Sequence, residues 1–168
     1  YLETVKVIDP ATGRTLLSSM FAAGVPAFLL TGRLADRVPN VPLLLGITGT
    51  ISLSVFALTL VEGFLALLAI SFVVGYAAHS VFPAVDTYVL SSVPDRHRGS
   101  AYALYSSGMM VIQALGSGTV GYAVTRGISY TVAFRTIAVV VLVVTAALFG
   151  LSHAGVFPGG GAPGRISE

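Results

Sequence analysis

Gly32-Arg33-Leu34-Ala35-Asp36-Arg37 is a compact charged knot set between two stretches that carry almost no charge. Residues 15–32 before it and 38–61 after it contain no Asp, Glu, Lys or Arg. Each is close to the roughly 20 apolar residues that a helix needs to cross a bilayer. A short basic turn between two such spans is where the positive-inside rule places the cytoplasm. From that assignment the side of every other loop follows by alternation.

The composition agrees with a bilayer protein. Of 168 residues, 55% are hydrophobic and 10% are charged, and the mean hydropathy is +0.89. A soluble domain is about one quarter charged. The net charge of +2 is scattered through short loops. No basic stripe with interleaved aromatics points to a nucleic-acid partner. With no cysteine in the chain, disulfides, thiolate metal sites and cysteine nucleophiles are excluded. The chain opens at Tyr1 with nothing like a signal peptide, and it reads as the interior of a longer protein.

Outward from the knot, five charge-poor runs are expected as membrane helices, over about 14–32, 41–61, 64–92, 100–124 and 130–152. Pro26 lies inside the first, which a membrane helix tolerates when neighbours satisfy the freed carbonyl. Pro39 and Pro42 suit the first turn of the second. Glu62-Gly63 is a minimal turn, Pro94-Asp95-Arg96-His97-Arg98-Gly99 is a second basic knot, and Arg126-Gly127 turns the chain again. Residues 1–13 read as an extracellular loop or the end of a preceding helix, with Asp9-Pro10-Ala11-Thr12-Gly13 as a turn. Residues 153–168, rich in Gly and Pro, read as a flexible cytoplasmic tail. With the first knot inside, the inner loops hold Arg33, Arg37, Arg96, Arg98 and Arg165. The outer side holds Lys6, Arg14 and Arg126, with Arg135 close by. The fold class is therefore an all-α, polytopic helix bundle in a membrane.

Gly32 to Arg37 resembles the G-x-L-a-D-R loop motif of major facilitator superfamily transporters. In that family the loop joins the second and third helices, and a weaker copy joins the eighth and ninth. Val38-Pro39-Asn40 replaces the family's x-Gly-Arg/Lys ending, which favours the weaker copy. Pro94 to Tyr102 is similar to the loop leading into the eleventh helix, and Tyr130 to Arg135 to the start of the twelfth. The resemblance implies helices eight to twelve of a C-terminal half, a partial fold with five spans whose partner helices lie upstream. It also implies secondary active transport of a small solute by alternating access, driven by a coupling proton, another ion or a solute gradient. The site is then a plasma or cytoplasmic membrane. Two other readings stand beside it: helices two to six of a similar transporter, and a non-transporting membrane protein such as a sensor or assembly scaffold.

Polar residues within the spans are the candidates for function, because such groups normally face a cavity or a partner, not lipid. His79 and Asp86 lie seven residues apart on one face of the third span. His79 lines a solute or proton pathway, or is a neutral histidine bonded to a neighbouring helix. Asp86, nearer the inner end, pairs with Arg96, Arg98 or the first knot. Gln113, mid-way along the fourth span, should face protein or water. Tyr102, Tyr105 and Ser106 extend the same pathway or anchor the interface. Gly32, Arg33, Asp36 and Arg37, with Asp86, Arg96 and Arg98, form an expected cytoplasmic gating cluster. Asp36 lies near helix ends, where a carboxylate can face a helix N-terminus. Arg135 is expected to snorkel to the outer surface.

Gly116-Ser117-Gly118-Thr119-Val120-Gly121 spells G-x-G-x-x-G, yet no strand precedes it and the nearest later acid is Glu168. Gly116, Gly118 and Gly121 instead suit close helix packing. No catalytic triad, zinc-protease motif or phosphate loop is present, so neither enzymatic activity nor a cofactor or metal is expected.

Overall fold

The computed structural model describes residues 1–154, apart from the Ser117 side chain. Six α-helices follow one another: α1 (Pro10–Ala22), α2 (Gly24–Ala35), α3 (Asn40–Leu60), α4 (Phe64–Ser91), α5 (Arg98–Thr125) and α6 (Tyr130–His153). A single 3-10 turn, Asp95–His97, precedes α5. The Gly- and Pro-rich tail, with Arg165, lies outside the described residues.

The first helix starts earlier than the turn-like string Asp9 to Gly13 suggested. Asp9 is its N-cap, accepting from the N–H groups of Ala11 and Thr12, both at 3.0 Å. Pro10 takes the first helical position, where its missing N–H leaves no bond unmade. The expected first span is weakened at one point. Pro26 has no N–H to give to the Ala22 carbonyl, so the helical ladder lacks one bond there, while Ala23 between α1 and α2 keeps helical angles, donates to Ser19 O (3.0 Å) and accepts from Ala27 N–H (3.1 Å). Together α1 and α2 form one apolar stretch, Pro10–Ala35.

By length and composition, four stretches can cross a membrane: Pro10–Ala35, Asn40–Leu60, Phe64–Ser91 and Tyr130–His153. The 28-residue α5, expected as a span, is long enough but is not among them. Five glycines and four serines dilute its apolar residues.

Helix α4 is the hub, packing against α1, α2 and α3, while α3 also packs along α6. Helix α5 touches α4 and α6 lightly and buries none of its described side chains. What lies inside is mostly small or hydroxylated, with Ala23, Ala27, Ala77, Ala84, Thr31, Ser52, Ser54, Thr59, Ser71 and Ser80 beside the larger Leu16, Ile47, Leu67 and Val74. What lies outside is large and apolar, with Leu65 77% exposed and Leu104 78% exposed. A soluble core would invert this arrangement. In lipid it is expected, because tails solvate leucine as well as a core does, while small residues let backbones approach. The closest approach is at Gly75 of α4, where an added Cβ would fall on the Met20 carbonyl and Cα of α1.

Most buried hydroxyls return their hydrogen bond to their own helix. Ser52 donates to Thr48 O (3.0 Å), Ser54 to Ile51 O (3.0 Å), Thr59 to Phe56 O (2.7 Å) and Ser80 to Tyr76 O (2.8 Å). One buried bond crosses between spans, from Thr31 Oγ1 of α2 to Ser80 Oγ of α4 at 2.9 Å. Ser71 Oγ is buried without a hydrogen-bond partner.

Candidate functional site

The charge-bearing turns alternate between the two ends of the bundle. Arg33, Arg37 and the Asp95–His97 turn lie at one end, and Glu62 with Arg126 at the other. Between them, His79 lies near the middle of α4. Its Nδ1 donates to Gly75 O one turn back, at 2.7 Å, which makes Nε2 the acceptor of the neutral ring. The half-buried ring rests against Gly24, where a Cβ would sit 3.0 Å from His79 Cδ2. Phe21, Phe28 and Phe82 surround it at centroid distances of 6.0, 6.4 and 6.4 Å. Phe28 and Phe82 are themselves stacked at 6.0 Å. His79 therefore sits at the proline-weakened turn between α1 and α2, held by its own helix and walled by aromatic rings. The small Gly24 that makes room for it carries no sequence signal beyond being a glycine.

The residues expected as a charged cluster at the Arg33 end are not joined by ion pairs. Among the described residues the one ion pair is Arg98–Asp95, at 3.0 Å and exposed. Arg98 Nε also donates to Leu90 O (3.0 Å), and Arg96 Nε donates to His97 Nε2 (2.9 Å). Asp86 is half-buried on α4 and pairs with none of the arginines proposed for it. Asp95, three residues before Arg98, is the nearer acid and takes that guanidinium. Asp36 forms the C-cap of α2, where the helix presents carbonyls, and so faces no helix N-terminus of its own. Arg33 reaches back along its helix to Leu29 O at 3.5 Å. Arg37 is exposed, and Gly32 has open space where a Cβ would stand.

On α5, Tyr102 and Tyr105 rings meet at 6.2 Å, and Tyr105 Oη donates to Met109 Sδ at 3.2 Å. Ser106 is half-buried, whereas Gln113 lies on the exposed face. Nothing lies within 4 Å of a Cβ built at Gly116, Gly118 or Gly121. The close approach expected of that motif is found instead at Gly75 and Gly24, on the helices that pack tightly.

The other end holds a site that sequence reasoning passed over. Lys6 Nζ donates to Val61 O (2.8 Å) and Thr59 O (3.2 Å), a cation on the carbonyl end of α3. Arg135 of α6 is exposed and reaches to the last turn of α3 at this end. Its Nε donates to Thr59 Oγ1 at 2.9 Å, and its guanidinium lies 5.9 Å from the Phe56 ring centre. Tyr1 packs edge-on against Phe134 at 5.0 Å. A cavity of about 580 Å³ opens here, lined by Tyr1, Lys6, Thr12, Thr59, Glu62 and Thr131 among others. The signal was present as the pairing of Lys6 and Arg135 with α3's final turn, but only the fold brings them together. Nearby, the Asp9 carboxyl is held below its usual 3.8 chiefly by hydrogen bonds from Thr12, side chain then backbone.

No group of three or more His, Asp or Glu side chains is placed to hold a metal among the described residues. No curated protein and no solved structure matches the chain. The family profile of the Major Facilitator Superfamily, in contrast, matches residues 4–162 and so covers every helix described above. With an all-helical bundle, an inverted burial pattern and a match of this extent, the chain belongs to the Major Facilitator Superfamily, a family of multi-pass membrane transporters.

Proposed function

We propose that this chain supplies part of a secondary active transporter that moves a small solute by alternating access, with its Arg33 end in the cytoplasm. The observation that carries the reading is His79, near the middle of α4, seated against the proline-weakened turn between α1 and α2. An ionisable side chain at that depth normally faces a partner or a water-filled cavity, and a carbonyl freed by proline, such as that of Ala22, is satisfied again by neighbours or water. His79 Nε2 is the ring's acceptor at that turn, and it can take a solute hydrogen bond. Gln113, Tyr102, Tyr105 and Ser106 on α5 extend the pathway wall, completed by the helices of the other half. The coupling ion, where a proton, would be held by His79. Arg33, Asp36 and Arg37, with Asp86, Arg96 and Arg98, act in this reading when the inner end closes. Gly116, Gly118 and Gly121 receive a helix from the partner half.

The test is solute flux in the intact protein, once screening has identified a transported solute. His79→Phe keeps the aromatic packing and removes Nε2, and it should lower uptake about tenfold or more at normal membrane levels. Gln113→Leu should lower it by a smaller factor. Unchanged uptake in both variants would remove these residues from the pathway. Uptake that survives collapse of every ion and counter-solute gradient would remove the coupled mechanism.

A further inference from the structure

We propose that residues 1–8 form a strap that opens and closes over the Glu62 end of the bundle, with Lys6 as its catch and Val7 as its strained hinge. The inference rests on the packing at that end and not on the transport mechanism.

The strap reaches three helices but leaves space beneath it. Its first turn is closed by Val5 N–H, which donates to Tyr1 O at 2.8 Å, and Ile8 N–H donates to Leu2 O at 3.3 Å. Tyr1 meets Phe134 of α6, Glu3 lies against Gly13 of α1, and Lys6 reaches the end of α3. The cavity of about 580 Å³ lies against residues 5–8, and a second of about 400 Å³ lies against residues 2–4. Both valines of the strap, Val5 and Val7, are exposed. A segment backed by cavities, with its valines in the open, buries too little apolar surface to be held by packing alone. Its hold falls on Tyr1 and, above all, on Lys6.

The catch is reversible. Helix α3 ends at Leu60, and the carbonyls of its last turn lack partners within the helix. Lys6 Nζ serves Thr59 O and Val61 O, a cation on the negative end of the helix dipole. Water can serve the same carbonyls, and Lys6 is in no ion pair among the described residues, so release separates no opposite charges. Thr59 also receives Arg135 of α6 on its hydroxyl. A shut strap therefore links the start of α1 to the α3–α6 pair, and an open one removes that link.

The hinge opposes the catch. Val7 has φ +54°, and it is the one non-glycine residue with positive φ among the described residues. A β-branched side chain is strained in that region. Val7 is 86% exposed, so its own packing does not offset the strain. What holds it is an anchor on either side: Lys6 on the end of α3 before it, and Asp9, the N-cap of α1, after it. Once Lys6 lets go, the backbone at Val7 is free to return to negative φ. Strain stored in the shut strap thus brings the open arrangement close to it in free energy.

The experiment is hydrogen exchange on the full-length protein containing this segment, where protection of the Val5 and Ile8 amides reports the shut strap. Lys6→Met keeps the aliphatic stem, removes the cation, and should lower that protection about tenfold while the middle of α4 stays unchanged. Val7→Asn tolerates the left-handed region and should raise the protection about fivefold, the opposite direction. It alters an exposed side chain and serves if the first variant does not fold. Unchanged protection in Lys6→Met, or a loss shared equally by α4, would overturn the catch. Unchanged or lower protection in Val7→Asn would overturn the hinge.

Discussion

At Gly75 a single hydrogen atom sets the distance between two helices. Gly75→Ala places a methyl group on the Met20 backbone, which cannot move as the end of a flexible side chain can. The expected cost is about 1–3 kcal/mol, the range for overpacking a filled interior. Gly108→Ala on α5 meets open space, and there the lower entropy of alanine should stabilise the helix by about 0.5–1 kcal/mol. Thermal unfolding of the two variants in detergent should move in opposite directions, and equal shifts would show that α4 and α1 do not approach as described. The Arg135–Thr59 bond invites a second comparison. Thr59→Val removes the acceptor and should cost about 0.6 kcal/mol, within a ceiling near 1.7, as interhelical bonds in membrane proteins do. Asp9 gives a pH signature. Its folded pKa lies below the ordinary 3.8, so the folded state binds fewer protons than the unfolded one near that pH. The carboxylate's stabilising effect is complete above 3.8 and fades as pH falls through the lowered folded value. Melting curves of the wild type and Asp9→Asn should therefore differ at neutral pH and converge in acid.

At the scale of the element, the decisive feature is the missing bond at the Ala22 carbonyl. Pro26→Ala restores an N–H for it and should complete the ladder between α1 and α2. Hydrogen exchange across residues 22–27 should slow markedly, while exchange within α3 stays unchanged. Equal exchange in both proteins would mean that packing against His79, and not the missing N–H, weakens the helix there. The long helices were legible because charge-free runs end at Pro, Gly and charged pairs: α3, α4 and α6 lie close to the expected spans. The start of α1 was not, because Asp-Pro followed by small residues serves equally as a turn and as a capped helix N-terminus. Which glycines matter was also hidden. Gly116, Gly118 and Gly121 have the spacing of a packing motif, yet Gly75 and Gly24 make the contacts, since contact depends on which face a neighbour occupies. The pairing partner of each arginine was equally out of reach. Asp95 for Arg98 and Thr59 for Arg135 follow from local turn geometry and helix order, neither of which spacing reveals.

For the whole molecule, the open matter is which end faces the cytoplasm. These 168 residues hold no cysteine, so single introduced cysteines report topology without background from this segment. Glu62→Cys should react with a membrane-impermeant maleimide added outside intact cells. Asp95→Cys should react only after permeabilisation. The reverse pattern would invert the orientation, and with it the assignment of Arg33 and Arg37 to the inner leaflet. The fold class was readable from composition alone, because an apolar chain with charges confined to short turns has few other solutions. The proposed pathway was less so, because in that reading its second wall belongs to other helices. Within this chain His79 rests against Gly24 while Gln113 faces outward.

The inward-facing hydroxyls described above carry a mechanical consequence. Because Ser52 and Ser54 on α3 satisfy themselves on their own helix, adjoining surfaces meet there chiefly as smooth relief. A bundle bolted together by many cross-links would have to unfasten them in sequence before any helix could slide. Here the side-chain fastenings between spans among the described residues are Thr31–Ser80, from α2 to α4, and Arg135–Thr59, from α6 to α3, and the surfaces between them behave as a dry bearing. Such a joint glides or tilts by small steps without an activated exchange of partners, and its wear surface is the fit of alanine against glycine.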